Sequence, residues 1–376
     1  MKVALVHDWL VGMRGGEKCL DLMCELLPEA EIFTLVHAPG SVSKRIESRR
    51  IHTSSLQRLP FAVKSYPYYL PILPWAIEQF DLRGYEAIVS VSHCVAKGVV
   101  PAPESWHGCY CLTPMRYIWD AYGEYFDARG SRSLRVAGQI VAPWLRMWDV
   151  ASAARVDAFA AISQHVKARI SRYYHRDSSV IYPPVDDELF SVPLASGPGS
   201  YFLSVGAAAP NKRLELAIEA FRELGLPLVV AGAGPGAARL RRTAPANVSF
   251  FGWSSDEELI ALYQGARALV FPGYDDFGLT PLEAAAVGRP TIAFAGGGAL
   301  ETVIPTDGNT VGTGILFAEQ TAAGLIEGVR EFLRVESSYD PERLRAHAAR
   351  FARRECRANL LHFLRQGISG SAIVSC

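Results

Sequence analysis

No stretch of this 376-residue chain approaches the ~20 consecutive apolar residues that span a bilayer. The opening run Val3-Ala4-Leu5-Val6 is too short for the apolar region of a secretory signal. A soluble chain, or one resting on a membrane face, is expected. Charge of one sign is not in excess either: 38 Lys and Arg balance 38 Asp and Glu. Nucleic acid is therefore not an expected partner, because phosphate backbones are held by basic excess. The seven cysteines are an odd set without a C-x-x-C pair, which indicates neither a disulfide framework nor a zinc site and fits a reducing, cytoplasmic compartment. The dinucleotide fingerprint is missing too. Gly232-Ala233-Gly234-Pro235-Gly236-Ala237 fits its glycine pattern. It does not open the chain's first strand–helix–strand unit, however, and lacks the acidic strand end at the expected distance. A helix-capping turn explains it better.

What is present is a globular composition, 49% hydrophobic and 20% charged, in a chain long enough for two domains. Short apolar runs alternate with helical patterns, as in a parallel α/β sheet. In the first half the expected strands are Val3–His7, Glu31–Val36, Ile51–Ser54, Ala87–Val91, Gly108–Leu112, Ala158–Ile162 and Val180–Tyr182. Tyr182-Pro183-Pro184-Val185-Asp186 reads as a hinge, since two prolines continue neither a helix nor a strand interior. The rhythm then restarts, with strands at Tyr201–Val205, Leu228–Ala231, Val248–Phe251, Ala268–Phe271, Thr291–Ala295 and Gly314–Phe317. The expected fold class is α/β, with two Rossmann-like domains, 1–190 and 191–340, facing each other and binding ligands at strand carboxyl ends. A final helical stretch, 341–376 with its tail, is expected to cross back onto the first domain.

Four loops carry candidate chemistry. In Pro272-Gly273-Tyr274-Asp275-Asp276-Phe277-Gly278-Leu279-Thr280-Pro281-Leu282-Glu283, a strand ends and a helix is expected to begin with Thr280 as N-cap and Pro281 at its first position. Helix N-termini favour anions, and the carboxylates of Asp275 and Glu283 suit vicinal hydroxyls. Thr280 and Glu283 also have capping-box spacing, so Glu283 is read either as a cap or as a ligand contact. Gly296-Gly297-Gly298 exceeds what an ordinary turn requires. Lys212 and Arg213 follow the second half's first strand, beyond Gly206, where cations would neutralise a diphosphate. Gly12-Met13-Arg14-Gly15-Gly16-Glu17 suits an anion in the first domain.

Together these segments resemble the retaining glycosyltransferases of family four, the group 1 transferases with the GT-B fold, over roughly Met1 to Leu333. The Asp-Phe-Gly-Leu-Thr-Pro-Leu-Glu run followed by Gly-Gly-Gly-Ala-Leu-Glu is a specific pairing. His7-Asp8-Trp9-Leu10, Ser92-His93-Cys94-Val95-Ala96-Lys97-Gly98 and Thr113-Pro114-Met115-Arg116-Tyr117 look like the branch of O-antigen and exopolysaccharide mannosyltransferases. The resemblance implies a hexosyltransferase using a nucleotide-diphosphate sugar, GDP-mannose above all, with a polyprenyl-diphosphate-linked glycan as acceptor and no cofactor or metal. It implies Glu283 on the ribose hydroxyls and Asp275 near the donor sugar. Phe277, Gly278 and Leu279 are implied as backbone contacts beside Gly297 and Gly298, and Lys212, with Arg213, on the diphosphate. Gly15, Gly16, Asp8 and Arg116 fall on the acceptor and phosphate side. Three positions depart from the family: Asp275 for Glu, Ala207 for Arg, and Leu112 for a sugar-contacting His, whose place His93 could partly take or could leave, remaining structural. The departures also fit a catalytically silent nucleotide-sugar-binding subunit. Contact with the cytoplasmic membrane face is expected from two basic, aromatic segments. One is Lys44 to Lys64, running on to Trp75. The other lies between Asp127 and Asp149, with Arg129, Arg132, Arg135 and Arg146.

Overall fold

The structure is a computed structural model, and it describes residues 1–120, 122–123, 132–195, 197–234, 236–252, 255–307 and 310–368, with the side chains of 132–135 and 137 left aside. The chain divides into two compact units: Met1–Pro184 with Cys356–Cys376, and Val185–Glu355. The division falls within the double-proline segment. The second unit ends beyond the expected residue 340, inside the last helix.

In the first unit seven parallel strands run β1 Val3–His7, β2 Glu31–Thr34, β3 Ile51–Thr53, β4 Ala87–Ser92, β5 Trp106–Cys111, β6 Ala158–Ala161 and β7 Ser179–Val180. Their order is β3-β2-β1-β4-β5-β6-β7. In the second unit six parallel strands run β8 Tyr201–Val205, β9 Leu228–Ala231, β10 Val248–Phe251, β11 Ala266–Phe271, β12 Thr291–Phe294 and β13 Gly314–Phe317, in the order β10-β9-β8-β11-β12-β13. Central strands are buried along their whole length: every residue of β1 and β4 is buried. Helices on both faces do this, which is why such strands read as unbroken apolar runs rather than as alternating ones. Each sheet has one place where the order reverses. It lies between β1 and β4 in the first unit and between β8 and β11 in the second. The carboxyl ends of these pairs are the usual ligand position of open α/β sheets.

Local chemistry fixes the helices. Leu214–Leu224 buries Leu214, Ala217, Ile218 and Phe221 and stops at Gly225, which takes a left-handed φ of 68°. Asp256–Gly265 opens with a Ser255–Glu258 capping box. Two expectations are corrected. The stretch from Pro341 is not one helix: it comprises Pro341–Ala348, a single 3-10 turn at Ala349–Phe351, and Arg353–Arg365. The glycines at 232 and 234 are also more than a helix-capping turn. A side chain on Gly232 would run into the carbonyl of Gly206, and one on Gly234 would lie 2.9 Å from the Ala208 nitrogen. They let the loops after β8 and β9 cross in direct backbone contact.

Candidate active site

The second unit gathers most of the expected residues at its switch point. After β8 the chain passes Gly206, whose N–H donates to the Ala231 carbonyl at 3.0 Å, and makes a short 3-10 turn, Pro210–Lys212. After β11 it runs through Gly273 to Gly278. Because β8 and β11 are neighbours, these loops meet. The Tyr274 N–H donates to the Asn211 carbonyl at 3.0 Å, and a side chain on Gly273 would lie 2.6 Å from that same carbonyl. The contact puts Lys212 and Asp275 into a direct ion pair through Nζ and Oδ2. Asn211 Nδ2 donates to the other carboxylate oxygen at 3.0 Å. The pair is neither fully hidden nor open: the side chains are 23% and 15% exposed. Two residues expected to touch different parts of a ligand thus hold each other. Arg213 is half-buried and takes a left-handed φ of 49°, where it precedes the helix Leu214–Leu224.

The helix after β11 corrects the sequence reading. It runs Leu279–Ala286, and its N-cap is Gly278 at φ 88°, with no side-chain cap. Thr280 is already inside the helix, so it is not the N-cap and makes no capping box with Glu283. Glu283 lies in the second turn, faces inward, and is buried. There its Oε2 accepts a hydrogen bond of 2.7 Å from the Tyr263 hydroxyl, and burial, then the Glu283 charge, pushes that hydroxyl well above its ordinary pKa. Phe277 is buried, its ring 5.9 Å from that of Phe351, so only its backbone is offered. Leu279 is half-buried at the helix start. The glycine run after β12 also has a structural cause. The Gly298 N–H donates to the Asp275 carbonyl at 2.9 Å, and side chains on Gly297 or Gly298 would strike the backbone of Asp275 or Phe277. Gly297 and Gly298 therefore brace the Asp275–Gly278 loop whatever else they touch.

The first unit holds a second cluster at its own switch point. Asp8, just past β1, is fully buried. Its Oδ2 accepts from the backbone N–H of His93 at 2.8 Å and of Cys94 at 3.0 Å, and its Oδ1 from Val95 at 2.6 Å and Ala96 at 2.8 Å. Four such bonds commit the carboxylate to shaping the turn after β4, so Asp8 positions that turn. His93 rides on the turn. Its Nδ1 is 3.1 Å from Asp8 Oδ2, and its ring meets Trp9 edge-on at 4.5 Å. Burial holds its pKa below the usual histidine value against the pull of Asp8.

Gly15 and Gly16 are the first residues of the helix Gly15–Leu26 rather than a loop before it. Gly15 faces open space, whereas a side chain on Gly16 would meet Leu112 Cδ1 at 2.9 Å. Arg116 is half-buried in the loop after β5. Sequence reasoning missed His7 and Glu17, which complete the cluster. His7 Nδ1 bonds the Val91 carbonyl at 2.8 Å, and its Nε2 lies 3.8 Å from Glu17 Oε1. Burial opposes charge on His7, but Glu17 and Asp8 outweigh it and raise its pKa. The signal was the buried strand end His7-Asp8, where two polar residues close an apolar run.

Residues 185–354 match the family model described as glycosyl transferases group 1. The group 1 segment contains Lys212, Asp275, Glu283 and both braced loops. The chain is similar to O-antigen chain mannosyltransferase C of Escherichia coli, 39% identical over 101 residues, 25% of this chain and 27% of that protein. It is likewise similar to D-rhamnosyltransferase WbpZ of Pseudomonas aeruginosa, 38% identical over 100 residues, 25% of this chain and 26% of that one. The matched part thus spans about a quarter of each curated relative. Among solved structures, Anabaena HepE in complex with UDP-glucose superposes with a TM-score of 0.69 at 14% identity, covering 97% of this chain and 100% of that one. At that identity the likeness concerns fold alone, and the fold of this chain is GT-B.

Proposed function

We propose that this chain transfers a hexose, mannose from GDP-mannose, with retention of configuration, to a lipid-linked oligosaccharide in bacterial surface-polysaccharide synthesis. The observation that carries the reading is the Lys212–Asp275 pair at the switch point of the matched segment, shortly before the Leu279–Ala286 helix that carries the buried Glu283. A diphosphate there meets one lysine cation and the N-terminal dipole of a helix. Lys212, half-released from Asp275, stabilises the charge that grows as the nucleoside diphosphate departs. Glu283 receives the ribose hydroxyls, and the backbone of Phe277–Leu279 aligns the sugar. The departing phosphate takes the acceptor's proton on the face it leaves, so the protein contributes positioning and charge rather than a nucleophile. Relatives named as mannosyl- and rhamnosyltransferases support a hexose donor, and the neighbour carrying UDP-glucose supports a nucleotide sugar. A thermal-shift panel of GDP-, UDP-, dTDP- and ADP-sugars tests the donor. GDP-mannose is expected to raise the melting point most, since a ligand at a hundred times its Kd stabilises by about 2.7 kcal/mol. A folded protein that responds to none of them refutes the reading.

The first unit docks on the cytoplasmic membrane face in this proposal. Among the described residues no helix is long and apolar enough to cross a membrane. Of the expected cations, Arg45 pairs with Asp21, and Arg49 bonds the Cys24 carbonyl at 2.7 Å. Arg58 and Lys64 remain exposed beside Phe61, 77% exposed, and Tyr68, 72% exposed. In the second segment residues 127–131 lie outside the described ones, as do the side chains of Arg132, Leu134 and Arg135. The helix Arg132–Ala153 presents Ile140, Trp144 and Met147 outward. Exposed aromatics with cations suit an anionic leaflet at about 1 kcal/mol per cation. Sedimentation with phosphatidylglycerol vesicles is expected at low salt and to weaken at high salt. Absence of binding at low salt would overturn this part.

A further inference from the structure

The bond between Tyr263 and Glu283 has no role in starting the helix that carries Glu283. That helix begins at Gly278 without a side-chain cap, and Glu283 lies a turn further in. A carboxylate in such a place is costly to bury unless its oxygens are bonded. Tyr263 supplies one such bond from another element, the helix Asp256–Gly265, twenty residues upstream. Tyr263 is only 1% exposed and Glu283 7%, so water does not compete for the bond. A phenol held far above its ordinary pKa by burial and by the Glu283 charge stays protonated at neutral pH. Toward the Glu283 carboxylate the hydroxyl acts as the donor, and Oε2 accepts.

The consequence for Glu283 is directional. Its side chain has three torsions, and the last, which turns the carboxylate plane, is soft. A fixed donor 2.7 Å from Oε2 selects one orientation of that plane. We infer that Tyr263 is a positioning residue: through its hydroxyl it aims the Glu283 carboxylate at the vicinal ribose hydroxyls of the nucleoside diphosphate. This rests on the proposed donor reading and adds a residue outside the loops that follow β8 and β11. Pre-orientation matters because a carboxylate that must be ordered on binding loses affinity to the entropy of ordering it.

The test is GDP binding by calorimetry to the full chain, with 2′,3′-dideoxy-GDP as the second probe. Variants are Tyr263→Phe, which keeps the ring and its packing, Glu283→Ala, and the double variant, each checked for folding by its melting curve. Tyr263→Phe is expected to weaken GDP by about tenfold, the scale of one hydrogen bond to a charged group. It should leave the dideoxy probe unchanged, because that probe lacks the hydroxyls Glu283 would hold. On the Glu283→Ala background the same change should cost GDP nothing further. Equal losses for both probes, or additive losses in the double variant, would show that Tyr263 only supports the fold and would overturn the inference. Wild-type protein that binds no GDP would overturn the donor reading, and the inference with it. Wild-type binding with an unaffected Tyr263→Phe variant overturns the inference alone.

Discussion

Lys212→Ala is expected to lower turnover by about two orders of magnitude or more while the protein stays folded, the scale seen when one charge-stabilising donor is removed from a transition state. Lys212 is the cation that pairs with Asp275 at the second unit's switch point, and Asp275 is held from the other side by Asn211. The variant leaves Asp275 with one donor instead of two, but both side chains are partly exposed, so water replaces the missing bond and stability changes little. Activity therefore separates the two roles. A residue that only balances Asp275 would be dispensable once Asp275 is also neutralised. A residue that meets the leaving diphosphate would not. Lys212→Ala with Asp275→Asn is expected to remain as inactive as Lys212→Ala alone. Lys212→Arg should recover only part of the rate, because a planar fork does not reproduce a compact ammonium. Initial rates of sugar release from the donor, measured at saturating donor, decide the matter. Full activity in Lys212→Ala would remove Lys212 from the chemistry.

The strands were legible in the sequence because burial on both faces leaves apolar runs that no loop resembles, and each expected run became a strand with ends shifted by a residue or two. The loops carrying Lys212 and Asp275 were legible for a related reason: polar and glycine-rich stretches directly after buried strands must lie at the carboxyl edge. Which loops touch was not legible. It depends on β8 and β11 being neighbours although β9 and β10 intervene in sequence, and residues 64 apart, such as Asn211 and Asp275, carry no periodic signal of their contact.

The start of the Leu279–Ala286 helix was misread because Thr280-Pro281 has the form of a cap and first turn, yet Gly278 turns the chain earlier through a left-handed φ that a sequence pattern does not mark. The far end of that buried helix is held by Arg345, which donates to the Ala286 carbonyl at 2.7 Å from far along the chain. Asp8 shows the same limit. Its four partners are backbone groups of residues 93–96, which only the β1–β4 pairing brings near.

Lys97→Met is expected to destabilise the first unit by about 3–5 kcal/mol, the cost of stranding a buried charge by removing its partner. Lys97 follows the turn that Asp8 clamps, and its side chain is 2% exposed against a fully buried Asp149 on the helix Arg132–Ala153. The ammonium donates to the Asp149 carbonyl at 2.8 Å and to Ser152 Oγ at 2.6 Å, and it forms an ion pair with Asp149 Oδ1 at 2.9 Å. The ammonium also lies 4.7 Å from the centre of the Tyr174 ring. The other Asp149 oxygen accepts from Trp119 Nε1 at 2.8 Å and from the Tyr174 hydroxyl at 3.0 Å. Because those two donors remain, Lys97→Met with Asp149→Leu is not expected to be neutral, as it would be for an isolated ion pair exchanged for apolar groups. Each stranded donor still costs about 1–3 kcal/mol. The double variant should nevertheless be less unstable than the two single changes added together, by about 0.5–3 kcal/mol. Urea unfolding of the four proteins measures the coupling. Strict additivity would mean that Lys97 and Asp149 are each held by the surrounding hydroxyls and rings, and that their mutual attraction contributes nothing to fixing the helix against the turn that bears His93.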